Sequence, residues 1–240
     1  MRLETIIKKV RRRLSVYTEK LFVRINNCFK EKGVILMYHH VNNDDIEPNP
    51  SCICSVDDFK TGLQRYTNND YKFIRMDDLS SYLNASDQKF AVVSFDDGYK
   101  DVITNAYPIL KRNSIPFVIY LVTEFINKPG YLSVDDINIL LNEGLCTVGF
   151  HTKSHQALSS VKNYNEELRQ GRALLEKKLG RRVNYFAYPY GKPDMVGFAG
   201  VCKISKMDYK NAVGTISCPV TSFSALFKYY LPRIVVSKYE

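Results

Sequence analysis

From Gly33 onward, short apolar runs alternate with segments of helical periodicity, and this alternation limits the folds open to the chain more than any other feature. The runs are Val34–Tyr38, Phe90–Phe95, Pro116–Val122, Cys146–Phe150, Asn184–Tyr188, Ala212–Ile216 and Leu231–Val236, each of strand length and rich in β-branched or aromatic residues. Between them, Ser55 stands as an N-cap ahead of Phe59, Leu63 and Tyr66, and residues 100–112 read as a helix. Ser133 caps a helix that runs through Leu141 and ends at Gly144, and Asn163–Leu179 is a long helix stopped by Gly180. Tyr71–Ile74 reads as a short extended piece, and the stretch after Tyr188 as poor in helix. Strands joined by helical crossovers predict an α/β fold with a parallel sheet. About seven such strands favour a barrel, incompletely closed, over an open doubly wound sheet. A chain of 240 residues can bury such a core as one domain.

Parallel strands end on one face, so the residues that follow them should converge there. Tyr38 is followed by His39 and His40, and Phe95 by Asp96-Asp97-Gly98. Phe150 is followed by His151-Thr152-Lys153-Ser154-His155, and Tyr188 by Pro189-Tyr190-Gly191. The chain has four histidines, and all of them are in this set. Two adjacent carboxylates at the end of a buried strand repel one another and lose hydration. A metal ion bound by one, leaving the other as a base, removes that cost; an Asp97 helix cap is the structural alternative. Gly98 lets the chain turn away. His151 and His155 are four apart, which on a helical turn sets both imidazoles on one side. Joined with a carboxylate they form a ligand set with open positions, of the kind used by Zn²⁺ hydrolases and by Fe(II) oxygenases. The α/β pattern favours metal-assisted hydrolysis.

Ser94-Phe95-Asp96-Asp97-Gly98, His151-Thr152-x-x-His155 and Tyr188-Pro189-Tyr190-Gly191 resemble, in order and spacing, the three leading motifs of the polysaccharide deacetylases. This is the NodB-homology group, or carbohydrate esterase family 4. The resemblance implies a distorted (β/α)7 barrel. It implies Asp96 as general base, and Asp97, His151 and His155 as ligands of a divalent ion, Zn²⁺ first, with Co²⁺ or Ni²⁺ as alternatives. It also implies that Tyr190 offers its backbone N–H to an oxyanion, with Pro189 and Tyr188 beside it. The chain departs from the commoner pattern in having no histidine after His155, no arginine opening the third motif and no tryptophan. These absences resemble the poly-N-acetylglucosamine deacetylases and the capsule- or lipopolysaccharide-cluster relatives, in which a histidine after the first strand supplies the acid. His39 stands in that place, with His40 as a pocket wall or hydrogen-bond partner and Tyr131 as a further wall. Arg233 is the candidate to replace the missing arginine by reaching across the barrel to Asp96. The implied reaction is removal of acetyl groups from N-acetylhexosamine units of a glycan. Two alternatives stay open: a glycan-binding member that has lost turnover, and a C–N hydrolase of the same fold acting on a small cyclic amide.

Residues 1–32 precede the alternating pattern and read as a basic amphipathic helix, with the catalytic domain at 33–240. They carry ten Lys/Arg against three Glu, and so hold seven of the net +9 charges. Leu3, Ile6, Ile7, Val10, Leu14, Tyr17, Leu21, Ile25 and Cys28 fall on one helical face. Such a helix can lie on an anionic membrane surface, or pack its stripe on the domain or on a partner helix. No nucleic-acid recognition motif accompanies the charge. No run approaches the ~20 apolar residues of a membrane span, and no signal-peptide core is present. The expectation is a cytoplasmic protein, peripheral at the inner membrane face. The six cysteines show no paired framework and read as reduced thiols.

Overall fold

The computed structural model describes residues 3–43, 52–85 and 87–236, with residues 3–8 described as backbone. Helix α1 (Leu3–Asn26) leads into β1 (Glu31–Tyr38), and β2 (His40–Val41) pairs with β3 (Ile53–Cys54). Then follow α2 (Val56–Asn68), β4 (Lys72–Phe73), α3 (Leu79–Ala85), β5 (Phe90–Phe95), α4 (Tyr107–Arg112) and β6 (Phe117–Leu121). The second half comprises α5 (Val134–Asn142), β7 (Cys146–Phe150), α6 (Gly171–Leu179), β8 (Tyr185–Ala187), α7 (Pro193–Ile204) and β9 (Asn211–Val213). It closes with β10 (Val220–Thr221), α8 (Ser222–Ala225) and β11 (Ile234–Val235).

The parallel core of the sheet runs β1-β5-β6-β7-β8-β9 and curls back on itself, with β4 added parallel at the start of β5 and β10 antiparallel at the start of β1. Residues 231–235 join its two ends: Leu231 bridges Val213 of β9, and β11 pairs parallel with Leu36 and Met37 of β1. The result is the expected distorted seven-stranded α/β barrel, with a seam made of one bridge and a two-residue strand. Strand alternation divides the core into two layers. Ile35, Phe90, Val92, Val118, Tyr120, Tyr185 and Val213 pack together inside the curl. Leu36, Ala91, Val93, Phe95, Ile119 and Phe150 pack outward against the helices.

Local signals act where the sequence puts them. The Ser55 side chain accepts the Asp58 N–H at the start of α2, and Ser133 forms a reciprocal capping box with Asp136 at the start of α5. Gly180 ends α6 in the left-handed region. Two expectations need correction. Residues 102–106 and 165–170 are π-helical turns that lead into α4 and α6, so neither helix is uniform. The stretch after Tyr188 contains α7, whose periodicity is broken by a non-helical Gly197. Of the alternatives open for α1, packing of the stripe on the domain is not what its described side chains show; Leu3, Ile6 and Ile7 lie outside the described side chains. The helix packs on α7 and α8 through Ser15, Phe22 and Asn26, while Val10, Leu14, Tyr17, Leu21 and Ile25 face outward. No disulfide joins the cysteines of the described residues.

Candidate active site

The interior face of β5 reads Phe90, Val92, Ser94 and then Asp96, so strand alternation carries Asp96 to the inside of the barrel mouth. Arg233 meets it there from the segment just before β11. Its Nη1 and Nη2 donate to the two Asp96 carboxylate oxygens at 2.7 Å each. Two more of its five N–H donors are used: Nε to the Gly214 carbonyl at 2.9 Å and Nη1 to Ser94 Oγ at 3.3 Å. The pair is wholly buried, and Arg233 has no exposed surface. Burial by itself would raise the Asp96 pKa. The guanidinium outweighs it and holds the carboxyl well below the usual range. Asp96 is therefore ionised, fixed in orientation and anchored on both oxygens.

Asp97 turns the other way. It sits at φ 68°, and Gly98 follows at φ 81° with a Leu121 methyl where a β-carbon would lie. Its Oδ1 is buried and accepts no hydrogen bond. That oxygen lies 3.5 Å from His151 Nε2 and 3.3 Å from His155 Nε2. His151 Nδ1 is 2.8 Å from the Ala187 carbonyl. A carbonyl only accepts, so Nδ1 carries the proton and Nε2 presents a lone pair. Burial pushes the His151 pKa down to about 3 and lowers that of His155. It pushes Asp97 up to about 6, a shift that His39 opposes and the Asp96 carboxylate reinforces. An unprotonated nitrogen and a carboxylate oxygen facing each other without a donor form a cradle for a cation. Ligands about 2.0–2.2 Å from a tetrahedral ion stand about 3.3–3.5 Å apart, and these separations are of that size. The three residues fit a divalent ion.

His151 and His155 do not lie on a helical turn, contrary to the sequence expectation. Residues 151–155 form a loop in which Thr152 and His155 take positive φ values of 68° and 62°. The loop is held from within and from below. Thr152 Oγ1 accepts the His155 N–H at 3.0 Å. The buried Glu167 side chain accepts the Ser154 N–H and hydroxyl, both at 2.8 Å. Eight non-glycine residues have positive φ among the described residues. Four of them are Asp97, Thr152, His155 and Tyr190, so backbone strain is concentrated in this cluster.

The other sequence candidates divide. His39 lies close enough to bear electrostatically on both Asp96 and Asp97. His40 also bears on Asp97, and is held with Nδ1 2.6 Å from the buried Asp101 carboxylate and its ring 3.6 Å from that of Tyr99. Tyr190 reaches the mouth, 56% exposed, with its ring 4.9 Å from His155 and its N–H donating to no group among the described residues. Pro189 is buried ahead of it. Tyr188 is not brought into the group: it is wholly buried, and its hydroxyl donates to the Tyr229 carbonyl. Tyr131 stacks on Tyr99 at 5.0 Å and contacts Phe125, whose ring lies 6.2 Å from His155. Tyr99, Phe125, Asp101 and Glu167 were missed from sequence. The first three follow the ends of β5 and β6, where position alone could have flagged them; Glu167 had no such signal.

Comparison with known proteins matches residues 84–197 to the family model described as polysaccharide deacetylase. The chain is 22% identical over 163 residues to YxkH of Bacillus subtilis, whose name places it among the polysaccharide deacetylases. That match covers 66% of this chain and 56% of the relative. It is 24% identical over 200 residues to a Staphylococcus aureus poly-β-1,6-N-acetyl-D-glucosamine N-deacetylase, covering 76% of this chain and 67% of that protein. Among solved structures, the polysaccharide deacetylase BC0361 of Bacillus cereus superimposes with a TM-score of 0.77 at 23% identity. It matches 88% of this chain and 66% of its own. This chain thus spans little more than half the length of the Bacillus subtilis relative.

Proposed function

We propose that this chain, whose residues 84–197 match the polysaccharide deacetylase model, is a metal-dependent hydrolase of that family removing acetyl groups from N-acetylhexosamine units of a glycan. The observation that carries the reading is the pairing of two unlike carboxylates. Asp96 is ionised and clamped by Arg233, while Asp97 directs a donorless oxygen at two histidine nitrogens. Asp97, His151 and His155 would hold the ion, Zn²⁺ by its preference for such a set. When bound, the ion supplies Lewis-acid polarisation of the acetyl carbonyl and acidifies a water.

The chain's own residues account for the remaining proton transfers. Asp96 accepts the proton of the water whose oxygen adds to the carbonyl carbon. Arg233 keeps that carboxylate ionised and aimed. The Tyr190 N–H donates to the oxygen on which negative charge develops. His39 delivers a proton to the amine nitrogen as the C–N bond breaks, leaving acetate and a free amine. The rim of Tyr99, Phe125, Tyr131 and Tyr190 offers aromatic faces to a sugar ring. The substrate named for the Staphylococcus aureus relative makes N-acetylglucosamine oligomers the first to try.

Acetate release from these oligomers should require added Zn²⁺, fall at least 10³-fold in Asp96→Asn and about 10²-fold in His39→Ala. His40→Ala should fall less than His39→Ala. No acetate from N- or O-acetylated oligomers by protein that binds one ion per chain would overturn the reading. It would return the choice to a retired glycan-binding protein or to an amide hydrolase of other specificity.

A further inference from the structure

Helix α1 is amphipathic, yet it meets the domain through its polar side. Ser15 Oγ donates to Asp194 Oδ1 at 2.9 Å and accepts the Asp194 N–H at 3.2 Å. Eleven residues later, three turns along the same face, Asn26 Nδ2 donates to the Pro219 carbonyl at 2.9 Å, and its Oδ1 accepts the Thr221 hydroxyl at 2.7 Å. Between them Phe22 packs against Phe223 and Phe227. Asn26 is wholly buried and Ser15 nearly so, so leaving either unpaired is costly. These contacts set the rotation of the helix about its axis and leave the stripe of Val10, Leu14, Tyr17, Leu21 and Ile25 facing solvent.

Exposed apolar surface is concentrated in this region. Of fourteen large hydrophobic side chains exposed among the described residues, seven lie between Val10 and Phe29. Four more, Met195, Phe198, Leu226 and Phe227, lie on or beside the two helices that α1 packs against. One edge of the stripe carries Lys9, Arg13, Lys20 and Arg24, spaced four, seven and four residues apart and all exposed. None of the four forms an ion pair among the described residues. No helix among the described residues is long and apolar enough to cross a membrane.

We propose that this face of α1 is a docking surface for an anionic lipid bilayer, with the apolar stripe entering the interface and the basic edge meeting lipid headgroups. Charge selects this occupant over a second copy of the chain. A symmetric pairing would bring two segments of net +7 together, whereas an anionic surface is attracted to the same charge. The orientation lays α1 in the plane of the membrane, beside the loop that carries Tyr190 and leads into α7.

The test is co-sedimentation of the full chain with phosphatidylcholine vesicles and with vesicles containing 30% phosphatidylglycerol. Binding should require the anionic lipid and weaken with salt. Replacing Lys9, Arg13, Lys20 and Arg24 by Gln should weaken it at least tenfold, since each basic residue near such a surface contributes about fivefold. Leu14→Asp/Leu21→Asp should abolish it while circular dichroism shows an unchanged fold, both residues being exposed. Equal binding to both vesicle types, or undiminished binding by the aspartate variant, overturns the proposal. So does absence of binding together with a dimer that the aspartate variant dissolves, which would assign the face to a second copy.

Discussion

At the residue scale, Arg233 decides what Asp96 can do. A carboxylate with no access to water is costly unless paired, and the two 2.7 Å contacts supply the pairing. Replacing Arg233 by Met leaves that charge uncompensated, and urea unfolding should show a loss of about 3–5 kcal/mol. The double variant Asp96→Leu/Arg233→Met should recover most of this stability while remaining inactive. That outcome would separate the fold's need for the pair from the reaction's need for it; an Arg233→Met protein as stable as the parent would contradict the argument. The aspartates and histidines were legible in sequence because they directly follow apolar runs. Arg233 could be named only as a candidate, because its partner lies 137 residues away.

At the element scale, the cluster depends on a π-helical turn. Residues 165–170 place Glu167 beneath the 151–155 loop, where its carboxylate binds the Ser154 N–H and hydroxyl and its carbonyl accepts the Lys153 N–H at 3.1 Å. Glu167 makes no hydrogen bond to either histidine among the described residues; it holds the loop in its left-handed conformation, and its charge also bears on His155. Glu167→Gln should weaken Zn²⁺ binding about 10–100-fold in a chelator competition, the usual cost of losing an outer support of a ligand. An unchanged affinity would show that Thr152 alone holds the loop. Helix starts at Ser55 and Ser133 and the stop at Gly180 were readable because caps act within one turn. The helical spacing of His151 and His155 misled, because a four-residue interval is equally compatible with a loop when tertiary contacts stabilise positive φ. Helix α7 was missed because Gly197 interrupts its pattern.

At the scale of the whole molecule, the two ends of the barrel have different work. The mouth carries the strained, charged cluster, and the opposite end carries a structural tie. There Asp77 accepts the Tyr185 hydroxyl at 2.6 Å and the Lys210 ammonium at 3.1 Å, linking the turn before α3 to β8 and to the entry of β9. Partial burial pulls the Asp77 pKa upward, but these two donors and Arg75 leave it below its ordinary value. A carboxyl depressed in the folded state contributes stability above its unfolded pKa, and that contribution is lost as pH falls through the folded one. The urea midpoint of the parent should therefore drop below about pH 4, and Asp77→Asn should flatten that drop while lowering stability at pH 7. Parallel drops in both proteins would assign the acid sensitivity to other groups. By itself the sequence determined the alternation of strands and helices, their caps and the chemical types gathered at the strand ends, since these follow from periodicity and neighbours within a few residues. Only the tertiary structure decided that Arg233 clamps Asp96, that four site residues are held in the left-handed region, and that α1 turns its apolar stripe outward. Each of these depends on which distant groups meet: Ser15 with Asp194 and Asn26 with Thr221 fix a rotation that the pattern along α1 leaves open.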